Sequence, residues 1–214
     1  MTWPCYDEDE IAAVAAVLRS GKVNYWTGGE GRAFEREFAA WLGTRHAVAM
    51  ANGTVAIEAA LIALDLRPGD EVITTPRTFV ATAMTAARLG LRPVFADVDA
   101  DTQGLTAASV EAAITPRTRA VLAVHLGGWP CDIAAIADLC RRRGMHLIED
   151  CAQAHGARRA GRMVGTFGVI SCFSFCQDKI ISTGGEGGMV ATDDDRLAAR
   201  VWSLKDHGKD RGLA

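Results

Sequence analysis

At 214 residues, with 49% hydrophobic and 23% charged content, the chain is long enough for one α/β domain with a well-buried core and too apolar to be disordered. Its formal charge of -3 offers neither a basic field for nucleic acid nor an acidic tail. The acidic start MTWPCYDEDE lacks the features of a secretory signal, and the most apolar stretch, AVAMANGTVAIEAALIAL, is broken by Asn52, Gly53, Thr54 and Glu58, against a membrane span.

In chain order, Asp7 to Leu18 (DEDEIAAVAAVL) predicts an amphipathic helix with acidic residues in its first turn. Gly28 and Gly31 bracket a loop, NYWTGGEG, and a second helix is expected around Ala33 to Leu42. The run HAVAMA (His46 to Ala51) reads as a strand, and Asn52-Gly53-Thr54 then opens a helical pattern to Leu64. PGDEVIT turns into another short strand, and Phe79 to Leu89 reads as a helix. RPVFADV, RAVLAV and MHLIED are further strand-like runs, separated by helical segments around Ala107–Ile114 and Ile133–Arg143. After Asp150 the pattern changes: GVISCFSF and GGMVAT flank a lysine loop, and Arg196 to Lys205 closes as a helix.

Strands alternating with helices predict βαβ units and a mostly parallel sheet covered on both faces. No internal repeat or low-complexity linker divides the chain, so one domain over 1–214 is expected, with the helical segment of about 1–45 included. In such sheets ligands gather where strands end at their carboxyl edges. Asn52-Gly53-Thr54, Thr78, Asp150 and the segment from Ser174 to Lys179 fall at those places.

The six cysteines, Cys5, Cys131, Cys140, Cys151, Cys172 and Cys176, are scattered through core-like segments, which suits a reducing cytoplasm. Cys172 and Cys176 have a CxxxC spacing, but no CxxC or His pair completes a zinc set; small core fillers are the expectation, and no metal.

Each polar position has a structural and a chemical reading. Asn52-Gly53-Thr54 is an ordinary helix cap or a phosphate cradle built on free amides at a helix start. No GxxxxGK[ST] phosphate loop or strand–GxGxxG–helix fingerprint is found. Asp150, at the end of MHLIED, caps the following segment or holds a proton on a heteroaromatic nitrogen; a buried carboxylate must be paired or solvated. Gln153 and His155 are its potential neighbours or plain loop residues. Phe79 is a core residue or lies flat on an aromatic ring. Ser174 alternates with Phe173 and Phe175, which puts its hydroxyl on the other face of a strand, toward a phosphate or a neighbouring carbonyl.

Lys179 stands beside the run Gly184-Gly185-Glu186-Gly187-Gly188, which lets backbone pass close to a bound ligand. Burial disfavours the charged form of a lysine, and its neutral amine attacks carbonyls. With a phosphate cradle, a stacking ring and a strand-end carboxylate, the combination describes a pyridoxal phosphate site.

The ordered motifs GEGRAFEREFAAWLG, NGTVAIEAAL, PGDEVITTPRTFVAT, PVFADVD, VHLGGWPCD, EDCAQAHGA and FSFCQDKIISTGGEGGMV run through nearly the whole chain. On them the sequence resembles the DegT/DnrJ/EryC1/StrS family of sugar aminotransferases. The resemblance implies the three-layer αβα large domain of the aspartate-aminotransferase (type I) fold, with pyridoxal phosphate as cofactor. It implies Lys179 as the Schiff-base lysine and proton carrier, Asp150 on the ring nitrogen, Phe79 over the ring and Gln153 near its 3-hydroxyl side. Gly53, Thr54 and Ser174 become phosphate contacts. Glutamate and a nucleotide-linked keto sugar are the implied substrates, in amino-sugar, polysaccharide or secondary-metabolite synthesis, and the implied assembly is a homodimer with NYWTGGEG as a cross-subunit element. Many relatives have His where this chain has Cys176, so that residue's role is not carried over. A dehydrating branch has His at the lysine position, from which Lys179 separates this chain. Family members usually continue into a smaller C-terminal domain, absent here, so a fragment, half of a split enzyme or a catalytically silent remnant is the competing expectation.

Overall fold

Each of the apolar runs from HAVAMA to GGMVAT becomes a strand of one sheet in the computed structural model, which describes residues 3–210. Helices α1 (Glu8–Ser20) and α2 (Glu30–Leu42) precede β1 (His46–Met50). Then follow α3 (Gly53–Ala63), β2 (Glu71–Thr74), α4 (Ala81–Arg88), β3 (Arg92–Phe95), α5 (Ala107–Ala113) and β4 (Thr118–Val124). Helix α6 (Ile133–Arg143), β5 (His146–Asp150) and a small hairpin of β6 (Arg158–Arg159) and β7 (Arg162–Met163) lead to β8 (Ile170–Ser174), β9 (Gly188–Thr192) and α7 (Asp195–Lys205).

The seven-stranded sheet has the order β1-β9-β8-β5-β4-β2-β3. Strand β9 runs antiparallel to both of its neighbours, and every other pairing across β8, β5, β4, β2 and β3 is parallel. Alternate side chains serve opposite faces. Ala120 and Leu122 of β4 pack with α3 and α7, while Val121 and Ala123 pack with α5 and α6. Phe173 of β8 and Met189 of β9 meet Phe38 and Leu42 of α2 on the second face. The result is a three-layer αβα arrangement around a mostly parallel sheet, as the alternation predicts.

Helix α3 is apolar apart from Thr54 and Glu58 because most of it is buried: Ala56, Ile57, Ala60 and Leu61 lie in the core between the sheet and α7. Helix α1 is the opposite case. It forms with an Asp7 capping box, but none of its residues is buried, and Ile11, Val14 and Leu18 stay exposed. No helix among the described residues is long and apolar enough to cross a membrane.

Three expected boundaries shift. Helix α2 starts at Glu30 rather than Ala33, because Gly31 serves packing: a Cβ there would stand 3.2 Å from the Tyr25 ring. Phe79 lies outside α4, which starts at Ala81. Helix α7 starts one residue early, at Asp195, where the Asp194 side chain accepts from the amides of Arg196 and Leu197. The NYWTGGEG loop is anchored on its own chain: Tyr25 donates to Glu35 at 2.8 Å, and Trp26 meets Trp202 edge-on at 5.9 Å.

Candidate active site

The parallel strands all end at one edge of the sheet, and there a cavity of about 400 Å³ opens. Gly53, Thr54, Phe79, Asp150, Gln153, Ser174 and Lys179 all line it. Residues as far apart in the chain as Gly53 and Lys179 thus meet because β1, β5 and β8 run the same way and deliver their last residues to one place.

The cradle begins where β1 gives way to α3. Asn52 Oδ1 accepts from the Val55 amide at 2.9 Å, and Asn52 O accepts from the Ala56 amide at 3.1 Å. The amides of Gly53 and Thr54, at the open end of the helix, have no partner among the described residues, the usual condition of a first turn. Ser174 faces them from the end of β8, on the face opposite Phe173 and Phe175, as strand alternation requires. A Cβ on Gly53 would come within 2.8 Å of Ser174 Cβ, so only glycine lets helix and strand close to this distance.

Asp150 closes β5 with its side chain nearly buried. Its Oδ2 accepts from Thr82 Oγ1 at 2.9 Å and its Oδ1 from the Ala152 amide at 3.1 Å. Burial pushes this carboxyl above the usual carboxylate range, while the Ala152 amide, the Thr82 hydroxyl and the neighbouring His125 and Lys179 pull it the other way. Such a carboxylate is short of positive charge and suits a cationic ring nitrogen. Gln153 Oε1 accepts from the Gly127 amide at 2.7 Å, which fixes the side-chain amide so that its NH2 is the free end in the cavity wall. Phe79 is 70% exposed at the rim, so core packing does not account for it.

Lys179 Nζ donates to both oxygens of Asp178, at 2.9 and 3.1 Å, and this contact holds the Asp178 carboxyl below its ordinary range. The glycine run differs from its expected role. Its glycines do not line the cavity; they let the chain close on itself. A Cβ on Gly187 would meet Thr183 Oγ1 at 2.6 Å, and one on Gly188 would meet Asn52 O at 2.4 Å. Gly188 therefore lets β9 press on the cradle from behind. Gly188→Ala is expected to cost about 1–3 kcal/mol of stability and to shift Asn52-Gly53, seen as a lower Tm.

Several neighbours escaped the sequence reading. Thr82, His125, Asp178 and Glu186 also line the cavity. His125 is fully buried at the end of β4; its Nδ1 accepts from the Cys131 amide at 3.3 Å, so Nε2 carries the proton and donates to Glu149 Oε2 at 3.1 Å. Glu149 also accepts from the amides of Gly165, Phe167 and Gly168 at 2.6–2.7 Å. With Cys151 these two residues place donor atoms within 4.8 Å of one another. The donor set does not favour a metal: Glu149 already accepts four hydrogen bonds, and both ring nitrogens of His125 are engaged. Cys172 is a core filler beneath α3, whereas Cys176 sits in the cavity wall beside Glu186, so only the first matches the expected role.

His155 lies away from the cavity, between Phe173 and Phe175 with ring centroids at 5.5 Å, and near the Ser174 backbone without a well-formed hydrogen bond. Burial lowers it to about 4 from an ordinary 6.5. The unfolded chain then binds a proton that the folded chain refuses, so stability falls as pH drops from 6.5 toward 4, by at most about 1.4 kcal/mol per pH unit. His155→Leu is expected to flatten that part of a stability-against-pH curve measured by urea unfolding.

A mostly parallel sheet with one reversed strand, bearing a lysine, a buried carboxylate and a helix-start cradle at its carboxyl edge, is the large-domain architecture of type I pyridoxal phosphate aminotransferases. The sequence matches the family model described as the DegT/DnrJ/EryC1/StrS aminotransferase family over residues 4–213. The chain belongs to that family. It is 48% identical over 181 residues to a UDP-N-acetyl-3-dehydro-α-D-glucosamine 3-aminotransferase of Acidithiobacillus ferrooxidans, covering 85% of this chain and 49% of that protein. An aminotransferase structure from Psychrobacter cryohalolentis superposes with a TM-score of 0.98 at 51% identity, over 99% of this chain and 54% of that one. The NtdA structure from Bacillus subtilis, with bound cofactor PMP, superposes with a TM-score of 0.85 at 33% identity, over 92% of this chain and 44% of that one. The chain spans about half the length of the relatives it matches.

Proposed function

We propose that residues 1–214 form the cofactor-binding large domain of an enzyme that moves an amino group from glutamate to a keto sugar carried on a nucleotide, with pyridoxal 5′-phosphate as cofactor. The observation that carries this reading is the convergence of Lys179, Asp150 and the Gly53–Thr54–Ser174 cradle on one cavity. Membership of an aminotransferase family and the sugar-nucleotide substrate named for the Acidithiobacillus relative support it.

The residues fit the cofactor. The free amides of Gly53 and Thr54 and the hydroxyl of Ser174 suit a phosphate. The Asp150 carboxylate, buried at the end of β5, is the group that would hold a proton on the ring nitrogen. Phe79, at the rim, would cover the ring, and the NH2 of Gln153, left free by the Gly127 amide, would serve its 3-oxygen. When bound, pyridoxal phosphate supplies a carbonyl for amine exchange and a cationic ring that withdraws electrons. Lys179, whose Nζ is held by Asp178, is the residue that would anchor the cofactor's carbonyl carbon, and its amine would accept the substrate's α-proton and return it one bond further along. The same residues then act in reverse on the keto sugar.

The chain is read as one half of a homodimer, with the apolar surface of Phe79 and Val80 beside the cavity in support, and its free thiols suit the cytoplasm. The test is release of 2-oxoglutarate from glutamate, dependent on both pyridoxal phosphate and a nucleotide-linked keto sugar. Turnover that ignores the keto sugar would overturn the substrate assignment.

A further inference from the structure

We propose that Thr82 is a positioning residue for the cofactor ring: it aligns the Asp150 carboxylate through a one-way hydroxyl chain and ties that carboxylate to the turn that carries Phe79. The inference rests on the cofactor reading above.

The direction of the chain follows from donor counting. A carboxylate only accepts, so the single proton of Thr82 Oγ1 goes to Asp150 Oδ2, 2.9 Å away. Thr82 Oγ1 also lies 2.8 Å from Thr78 Oγ1. With its own proton spent, Thr82 accepts in that contact and Thr78 donates. The order is Thr78 to Thr82 to Asp150, and each link polarises the next.

Thr82 is fully buried, so no water replaces it at no cost. Its backbone amide donates to Phe79 O at 3.1 Å, while its hydroxyl reaches the carboxylate. One residue in the first turn of α4 thus links the ring assigned to cover the cofactor with the group assigned to its nitrogen. The other oxygen of Asp150 is held separately by the Ala152 amide, so the two hydrogen bonds fix the plane of the carboxylate. His125, Lys179 and the thiols of Cys151 and Cys172 interact electrostatically with Asp150, Glu149 is its neighbour on β5, and Asp178 and Glu186 line the same cavity. Lys179 and His125 have their own partners in Asp178 and Glu149.

The experiment compares two ligands: pyridoxal phosphate and its analogue with carbon in place of the ring nitrogen. Binding of each to the unsubstituted chain and to Thr82→Val, Thr82→Ser and Thr78→Val is followed by absorbance. Thr82→Val is expected to weaken pyridoxal phosphate about ten-fold or more, the loss of one hydrogen bond to a charged group, and to leave the analogue nearly unchanged. Thr82→Ser restores binding. Thr78→Val, at a half-buried position that the core does not need, shows the same selective loss in smaller measure. Equal weakening of both ligands by Thr82→Val, or no weakening at Thr78→Val and Thr82→Val, would overturn the assignment. Failure of the unsubstituted chain to bind either ligand would instead overturn the cofactor reading, and the inference with it.

Discussion

On the proposed reading, Lys179→Ala is expected to abolish the visible band expected with pyridoxal phosphate and to lower amino transfer by about 10⁴-fold, the upper end of what a positioned proton carrier contributes. The loss is chemical rather than structural. The Lys179 side chain pairs with the exposed carboxylate of its neighbour Asp178, and such pairs contribute little to stability. Thermal unfolding of the variant without cofactor is therefore expected to stay close to that of the parent chain, with the lost attraction between Lys179 and Asp150 as the main difference. An added small amine that restores part of the turnover would identify the missing group as the proton carrier. A variant that keeps the band would remove Lys179 from the reaction.

Asp150→Asn is expected to act with opposite signs on stability and on function. Burial raises the Asp150 carboxyl above its ordinary value, so the folded chain binds more protons than the unfolded one between the ordinary and the raised value. By linkage, stability falls as pH rises through that window, and at neutral pH the charge on Asp150 is a net cost to the unloaded chain. The neutral amide introduced by Asp150→Asn removes that cost: its oxygen still accepts from the Ala152 amide, and its NH2 donates to Thr82. Tm without cofactor rises, and its fall with pH across the window disappears. If Asp150 holds the ring-nitrogen proton as proposed, amino transfer is expected to drop by about 10²–10³-fold, because nothing then stabilises that proton. A variant that loses both stability and activity would place Asp150 among the structural residues instead.

Much of this was legible in the chain because burial on both faces leaves parallel strands as plain apolar runs. MHLIED and RAVLAV need no tertiary information to be read as strands, and Asp150, the polar residue that ends the first, points to the carboxyl edge of the sheet. The face of Ser174 followed from its alternation with Phe173 and Phe175 alone. What the sequence concealed depended on long-range approach. The β6–β7 turn uses Ala160 and Gly161, both at positive φ, where an Asn-Gly pair would have announced a hairpin. Gly187 and Gly188 resemble ligand-facing glycines until the structure brings Thr183 and Asn52 against them. Thr82 looks like any threonine near a helix start, because its partner Asp150 is 68 positions away. Glu149 and His125 were hidden for the same reason, one amid an apolar run and the other just beyond one.

The most direct measurement is a visible absorbance titration of the purified chain with pyridoxal phosphate, followed by glutamate, with Lys179→Ala alongside. The account predicts a saturable band that is absent from the variant and is bleached by glutamate. A chain that gives no band, or a band that survives the loss of Lys179, would contradict it.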